Sequence, residues 1–220
     1  MYNSKPTGFI GIDLKMAPGT YPLILTLTDG KTAKKDLIVR KRAIAEAPLG
    51  IPDKLGGNTS ASEAALVATL ARENAILAAV PTASTMLWSG PFVLPLHTAI
   101  VVTDPYGYTR LTGLSTISHK GTDFRAAEGT PVYAMNAGTV KVAETFVEYG
   151  NTVVIDHGLG LQTLYMHLSK IEVSVGETVE KGQEIGKSGQ TGYAEAPHLH
   201  ISVKIGGISI DPEKFLELFR

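Results

Sequence analysis

The stretch from Gly150 to Leu168 reads GNTVVIDHGLGLQTLYMHL and contains two strand-length segments around a glycine-rich turn. Residues 151–156 and 162–167 are rich in Val, Ile, Thr and Tyr, which favour β-strands. The turn residues 156–160 separate the two segments, so we predict an antiparallel hairpin here. This hairpin makes the surrounding region a β structure.

Further strand-length segments lie on both sides of this hairpin. They occur at residues 99–103, 131–134, 138–143, 184–188 and 200–205. Glycine accounts for 23 of the 220 residues, above its usual share of about 7%. We therefore predict that residues 88–220 form a mainly β domain, a glycine-rich antiparallel sheet of the barrel-sandwich kind. Asp211 and Pro212 predict the start of a short closing helix.

The N-terminal part of the chain predicts a second, smaller β structure. Two apolar segments flank Asp29-Gly30, a dipeptide typical of hairpin turns. We interpret residues 1–41 as a partial, immunoglobulin-like β accessory domain. Residues 42–87 are predicted to be a linker that contains one helix at about 61–80. Ser60-x-x-Glu63 has the spacing of a capping box, and the apolar stripe of the helix predicts a packing face.

Composition and charge exclude several classes of protein. Hydrophobic residues make up 44% and charged residues 19% of the chain, which excludes general disorder. The 20 basic and 21 acidic residues give a net charge of −1 without a run of like charges, so we expect neither nucleic acid nor an anionic membrane as a partner. No apolar stretch is long enough for a membrane span. The first residues lack the pattern of a signal peptide, and we expect a mature or truncated product.

Four of the six histidines fall into three local patterns. They are His119-x-x-x-Asp123, His167 after Tyr165-Met166, and His198-Leu199-His200. Because the chain has no cysteine, a transition metal would have to be held by histidine and carboxylate. Catalytic zinc usually has three such protein ligands and one open position. His119, Asp123 and one C-terminal histidine would supply that set.

Strand alternation predicts where these histidines point. His198 and His200 should share one face while Leu199 turns to the core. His167 should lie on the face of Tyr165 and Thr163, opposite Leu164 and Met166. Each pattern alone is compatible with a structural role, as a surface pair, a half-buried histidine or solvated strand residues. Their co-occurrence favours a metal cleft. His97 and His157 match no pattern and are predicted to be a loop residue and a turn residue.

Five segments follow one another in a fixed order. They are His119-x-Gly121-x-Asp123-Phe124, Gly150–Gly158, Leu164–Leu168, Ser188–Gly192 and Pro197–His200. Together they resemble the lysostaphin-type (LytM-type) zinc metallopeptidases, from about residue 88 to the C-terminus. The resemblance implies a glycine-rich β peptidase domain in which His119, Asp123 and His200 bind one Zn²⁺. It also implies that His167 and His198 are catalytic groups beside the zinc-bound water.

The resemblance further implies a zinc endopeptidase that hydrolyses peptide cross-links of bacterial peptidoglycan, in the periplasm or outside the cell. Two features depart from the family pattern. Ser202 stands where many members have an acidic residue, and residues 110–118 lack the tyrosines often found before the first ligand. Tyr106, Tyr108 or Tyr149 would then supply the substrate contacts.

Two other functions compete with this interpretation. The first is a non-catalytic LytM-type regulator that binds and activates a partner cell wall hydrolase. Such relatives usually lose metal ligands, whereas this chain keeps every one. The second is a biotinyl or lipoyl carrier domain, because residues 175–183 resemble its turn. The chain lacks the lysine that a carrier exposes on a tight hairpin, which disfavours this function.

Overall fold

The computed structural model describes residues 8–27, 29–48, 50–51, 53, 56–111 and 116–218. Within them, the N-terminal elements are β1 (Gly19–Thr26), β2 (Thr32–Val39), β3 (Glu46–Pro48) and α1 (Ser60–Ala78). The following strands are β4 (Val102–Asp104), β5 (Thr109–Leu111), β6 (Thr116–Ser118), β7 (Thr122–Arg125), β8 (Pro131–Tyr133), β9 (Gly138–Phe146) and β10 (Gly150–Gly158). The last elements are β11 (Leu161–Leu168), β12 (Lys170–Ile171), β13 (Thr178–Val179), β14 (Glu184–Lys187), β15 (His198–Ile205), β16 (Ile208–Ile210) and α2 (Pro212–Leu218).

One large antiparallel sheet dominates the fold. Its strands follow the order β13-β9-β10-β11-β15-β7-β4, and β16 pairs with residues 203–205 of β15, beyond the residues 198–201 that pair with β7. The predicted hairpin at its centre is confirmed, since β10 and β11 pair from Asn151 opposite Leu168 to Gly158 opposite Leu161. Phe124, Tyr165 and other fully buried side chains form the core beneath this sheet. The mainly β fold class is confirmed.

The N-terminal hairpin is also confirmed. Strands β1 and β2 pair along their whole length, from Gly19 opposite Val39 to Thr26 opposite Thr32. Gly30 has a φ of 81° in the turn, a conformation that glycine adopts without steric cost. The two strands form a separate two-stranded sheet. The boundaries of an accessory domain, a linker and a larger domain stay a prediction.

Helix α1 begins one residue earlier than the predicted capping box requires. Thr59 is the N-cap, because its hydroxyl accepts a hydrogen bond from the amide of Ser62 at 3.1 Å. The interpretation of Ser60 as the capping residue was therefore wrong. Leu66 and Leu77 are buried as the apolar stripe predicted, whereas Ile76 of the same stripe is exposed.

A buried carboxylate attaches α1 to the main sheet. Glu73 is only 2% exposed and lies on the packing face of α1. Its side chain accepts hydrogen bonds from the backbone amides of Val147, Glu148 and Tyr149, at 2.7 to 3.3 Å. These residues form the turn between β9 and β10, so α1 holds the backbone of that turn in place.

His157 is not the turn residue that the sequence analysis predicted. It lies inside β10 and is 0% exposed. Its Nδ1 donates to the carbonyl of Ala137, and its Nε2 lies 2.8 Å from the hydroxyl of Thr163. The neighbouring glycines led to the prediction of a turn, but core residues cover the imidazole ring of His157. His97 is an exposed loop residue as predicted, and its ring stacks on Tyr133.

Burial of His157 makes the fold sensitive to acid. Burial lowers the pKa of His157 to about 4, whereas an unfolded histidine has a pKa of about 6.5. Between these values the unfolded chain binds a proton that the folded chain does not. Its contribution to stability is complete above pH 6.5 and falls as the pH drops toward 4.

We expect His157→Gln to remove much of this pH dependence. From pH 7 to 4.5 the wild-type chain should lose about 2 to 3 kcal/mol more unfolding free energy than the variant. Urea denaturation at both pH values measures the difference. His97→Gln is the matched control and should behave as wild type. Equal losses in the wild type and in His157→Gln would contradict the assignment.

Candidate functional site

Three neighbouring strands bring the predicted site residues together. Strand β15 lies between β7 and β11, with His200 opposite Asp123 on one side and opposite Met166 on the other. His198 and His200 line one groove of about 660 Å³. Leu199 is buried in the core beneath them. The prediction that both imidazoles share one face is therefore confirmed.

His119, Asp123 and His200 form a compact cluster in this groove. His119 Nε2 lies 2.9 Å from His200 Nδ1 and 3.2 Å from Asp123 Oδ1. His200 Nδ1 lies 2.8 Å from the same carboxylate oxygen. Each of the three residues therefore directs one ligand atom toward the other two. This arrangement could hold a metal ion.

A glycine leaves room for this cluster. A Cβ atom at Gly121 would lie 2.3 Å from His200 Nε2 and 2.4 Å from the carbonyl of Ile201. These separations are far below van der Waals contact, so a side chain at position 121 would displace β15. The glycine of the His119-x-Gly121-x-Asp123 pattern therefore permits the close approach of β7 and β15.

Hydrogen bonds select the ring nitrogens that face the cluster. His119 Nδ1 donates to the carbonyl of Pro105 at 3.2 Å, which leaves Nε2 as a lone-pair donor. Ser202 donates its hydroxyl proton to the carbonyl of Lys120, so its oxygen accepts from His200 Nε2 at 2.9 Å. His200 Nδ1 is then unprotonated in the neutral ring. Both nitrogens that meet Asp123 therefore carry lone pairs.

These donor atoms are suited to a small divalent metal. Two imidazole lone pairs and a carboxylate repel one another at about 3 Å unless a cation or protons lie among them. Tetrahedral zinc, with bonds of about 2.0 to 2.2 Å, places its ligand atoms about 3.3 Å apart. The separations of 2.8 to 3.2 Å are close to this value. Nitrogen and oxygen ligands are also those that zinc binds in catalytic sites.

Electrostatics favour an ionised Asp123. Burial opposes its charge, but the attraction of His119 and contacts with both histidines hold the pKa of Asp123 well below its usual value. The His119 ring is also desolvated, yet Asp123 outweighs this effect and raises the pKa of His119. For His200, desolvation outweighs the carboxylate and lowers the pKa.

His167 also lines this groove, because its backbone conformation departs from that of a regular strand. Its backbone has a φ of 60°, a left-handed conformation that is uncommon outside glycine and often found at functional sites. The alternation of β11 breaks there, so His167 lines the groove together with Leu164 and Met166. The prediction that it lies opposite these two residues was wrong. The pairing of β10 with β11 is irregular at this point.

His167 and His198 form a second pair beside the cluster. Their ring centres lie 4.8 Å apart. His167 Nδ1 donates to the carbonyl of Thr191, and His198 Nδ1 donates to the carbonyl of Ala196, both at 2.8 Å. In the neutral form of each ring, Nε2 therefore carries the lone pair. Burial, followed by the nearby histidines, lowers the pKa of His167 to about 3.

The walls of the groove include residues that the sequence analysis did not single out. Helix α1 contributes apolar side chains such as Leu70 to one wall. Of the three tyrosines proposed for substrate contacts, Tyr149 lines the groove. Tyr106 is instead buried, and its hydroxyl donates to the carbonyl of Ser209. Tyr193 also lines the groove, and only its position after the Ser188–Gly192 segment could have suggested it.

Comparisons with known proteins agree with this geometry. Residues 117–212 match the profile of Peptidase family M23. Peptidoglycan DD-endopeptidase ShyA of Vibrio cholerae serotype O1 is 45% identical over 96 residues, which cover 44% of this chain and 22% of ShyA. The chain covers 20% and 22% of the length of the first two curated relatives that it matches.

Solved structures extend the similarity. A peptidase M23 structure from Pseudomonas aeruginosa superimposes with a TM-score of 0.69 and 26% identity, covering 96% of this chain and 78% of the other. The catalytic domain of lysostaphin from Staphylococcus simulans is 37% identical with a TM-score of 0.50, covering 54% of this chain and 92% of that domain. Because it covers nearly the whole lysostaphin catalytic domain at 37% identity and matches the family profile, this chain belongs to peptidase family M23, the lysostaphin-type metallopeptidases.

Proposed function

We propose that this chain is a zinc endopeptidase that hydrolyses peptide cross-links of bacterial peptidoglycan. The observation that carries the proposal is the convergence of five side chains in one groove. His119, Asp123 and His200 supply three metal ligands, and His167 and His198 lie beside them with unprotonated Nε2 atoms. Family M23 and its DD-endopeptidase relatives support the peptidoglycan substrate.

His119 Nε2, His200 Nδ1 and Asp123 Oδ1 would hold the zinc ion. When bound, zinc supplies a water with a pKa of about 7, which is a nucleophile at neutral pH. Ser202 keeps the proton of the neutral His200 ring on Nε2, which leaves the Nδ1 lone pair toward Asp123 and His119, where a metal would bind. In this chain Ser202 therefore orients the His200 ring, as an acidic residue at this position could also do.

We assign proton transfer to His198. Its Nε2 lies 3.7 Å from Asp123 Oδ1, beside the metal-ligand cluster. His167 is more completely desolvated and stays neutral over the physiological pH range because its pKa is about 3. Its Nε2 is fixed in the groove by the Nδ1 bond to Thr191 and serves to orient the reacting groups.

The proposed substrate places the active protein in the bacterial envelope or outside the cell. Relatives named as peptidoglycan endopeptidases and lysostaphin support this location. Neither helix within the described residues is long and apolar enough to cross a membrane.

Purified peptidoglycan should acquire new peptide ends when it is digested by the zinc-loaded chain. A zinc chelator, His119→Ala and Asp123→Ala should each abolish both bound zinc and cleavage, because each removes the metal or one of its three ligands. Mass spectrometry of the released fragments identifies the cleaved bond, and metal analysis measures zinc. His97→Ala is the matched control and should keep both properties.

Cleavage by a zinc-free His119→Ala protein would contradict the proposal. Absence of zinc from the wild type would favour the alternative function, a non-catalytic LytM-type regulator.

His198→Ala should keep zinc but lose turnover. A positioned acid–base group contributes roughly 10² to 10⁴ in rate, so we expect a decrease in kcat within that range. Metal content and kcat, measured on the same preparation, separate this effect from metal loss. A wild-type kcat in the variant would remove His198 from the mechanism.

Ser202→Ala should weaken zinc binding while the fold is kept. The substitution removes the acceptor that holds the His200 proton on Nε2, and loss of such a partner typically costs roughly 10- to 100-fold in metal affinity or activity. Competition with a fluorescent zinc chelator measures the affinity. Ser209→Ala, on the adjacent strand β16, is the control and should bind zinc as wild type. Unchanged affinity in Ser202→Ala would show that Ser202 does not orient the ligand.

A further inference from the structure

The histidine face of β15 continues beyond the metal cluster. His198, His200, Ser202 and Lys204 alternate along this strand, and all four line the same groove. Each pair of residues advances about 6.7 Å along a strand. Lys204 therefore lies roughly 13 Å from His200 along the floor of the groove.

Lys204 is an unusual residue for this position. It is only 5% exposed, and lysine is rarely buried to this extent without a partner. Within the described part of the chain, no hydrogen bond or ion pair joins its ammonium group to another residue. Gln162 on β11 and Ser209 on β16 are its cross-strand neighbours. Neither cross-strand neighbour is acidic, so Lys204 is a buried cation with no counter-ion among the described residues.

The nearby charges have the same sign. Lys15 and Lys120 line the same groove and are exposed. Burial and then repulsion from Lys120 lower the pKa of Lys204 to about 8. A bound anion would reverse both effects, since it would replace lost hydration and neutralise the repulsion.

Of the four acidic residues that line the groove, Asp104, Glu195 and Asp123 contact other groups. Asp104 forms an ion pair with Arg110 at 2.9 Å, and Glu195 lies 3.9 Å from the same guanidinium. Asp123 belongs to the metal-ligand cluster. Glu148 lies in the β9–β10 turn beside Glu73 of α1, and its Oε2 is buried without a hydrogen-bond partner among the described residues. None of the four carboxylates forms an ion pair with Lys204 within the described part of the chain.

We propose that Lys204 forms a subsite that binds a carboxylate of the substrate peptide about four residues from the scissile bond. The inference rests on the proposed function, because that function supplies a peptide aligned along the groove. An extended peptide rises about 3.3 Å per residue, so four residues span the distance from the metal cluster to Lys204. Cross-linked stem peptides carry carboxylates on acidic residues and at free C-termini, and either could occupy the subsite.

The test compares cross-linked muropeptide dimers that differ in one functional group. One dimer has all its carboxylates free, one has only the C-terminal carboxylate amidated, and one has only the internal carboxylates amidated. Lys204→Met removes the charge and keeps the length of the side chain, and Lys204→Arg keeps the charge. Lys34→Met, at an exposed position of β2, is the matched control.

We expect Lys204→Met to lower kcat/KM for the free dimer by about 10- to 100-fold, which is typical for loss of a charged hydrogen bond. Lys204→Arg should retain most of the activity, and Lys34→Met all of it. The dimer amidated at the recognised carboxylate should be cleaved poorly by the wild type and equally poorly by Lys204→Met. This dimer identifies the source of the carboxylate. A thermal melting temperature that is unchanged or raised in Lys204→Met excludes misfolding.

Calorimetric binding of the uncross-linked stem peptide, which has no cross-link to cleave, separates this inference from the proposed function. If the wild type cleaves no dimer but binds the free peptide more tightly than its amide in a Lys204-dependent way, the subsite stands and the endopeptidase proposal fails. If all three dimers are cleaved equally by the wild type and Lys204→Met, the subsite is overturned and the endopeptidase proposal stands. An equal loss for every dimer in Lys204→Met also overturns it, because that result indicates a structural role.

Discussion

The register of β15 between β7 and β11 is the constraint on which the rest of the site depends. It places His200 beside Asp123 on one edge and beside Met166 on the other. A shift of one residue would turn every side chain to the opposite face. Leu199 and Val203 would then enter the groove and the histidines would enter the core. The burial of these apolar residues therefore fixes the geometry of the metal ligands.

Backbone carbonyls then set the chemistry of the imidazoles. The carbonyls of Pro105, Thr191 and Ala196 each accept the Nδ1 proton of a histidine in the groove. These acceptors lie in loops that are distant in sequence from most of the rings they orient. Because a carbonyl can only accept, each contact places the proton of the neutral ring on Nδ1 and the lone pair on Nε2. The loops thus determine which nitrogen can bind a metal or accept a proton.

Local patterns predicted the strands and the shared face of His198 and His200 because both depend on a period of two residues. The same rule failed at His167, where a φ of 60° interrupts the alternation. It also could not foresee that the core would close over His157, since local glycine content reports a turn but not what packs above it. Glu73 gave no indication of its role, because its partners are backbone amides about 75 positions away.

The sequence by itself determined the elements, the order of the five motifs and, through the family resemblance, the set of candidate ligands. Periodicity and turn chemistry are local properties, so they can be read from neighbouring residues. Only the tertiary structure decided how close the ligand atoms lie, which ring nitrogens face the cluster, and that Lys204 ends the same row as the histidines with no counter-ion among the described residues. These properties arise from contacts between strands, loops and a helix that are far apart in the chain, and no local pattern encodes the distance between them.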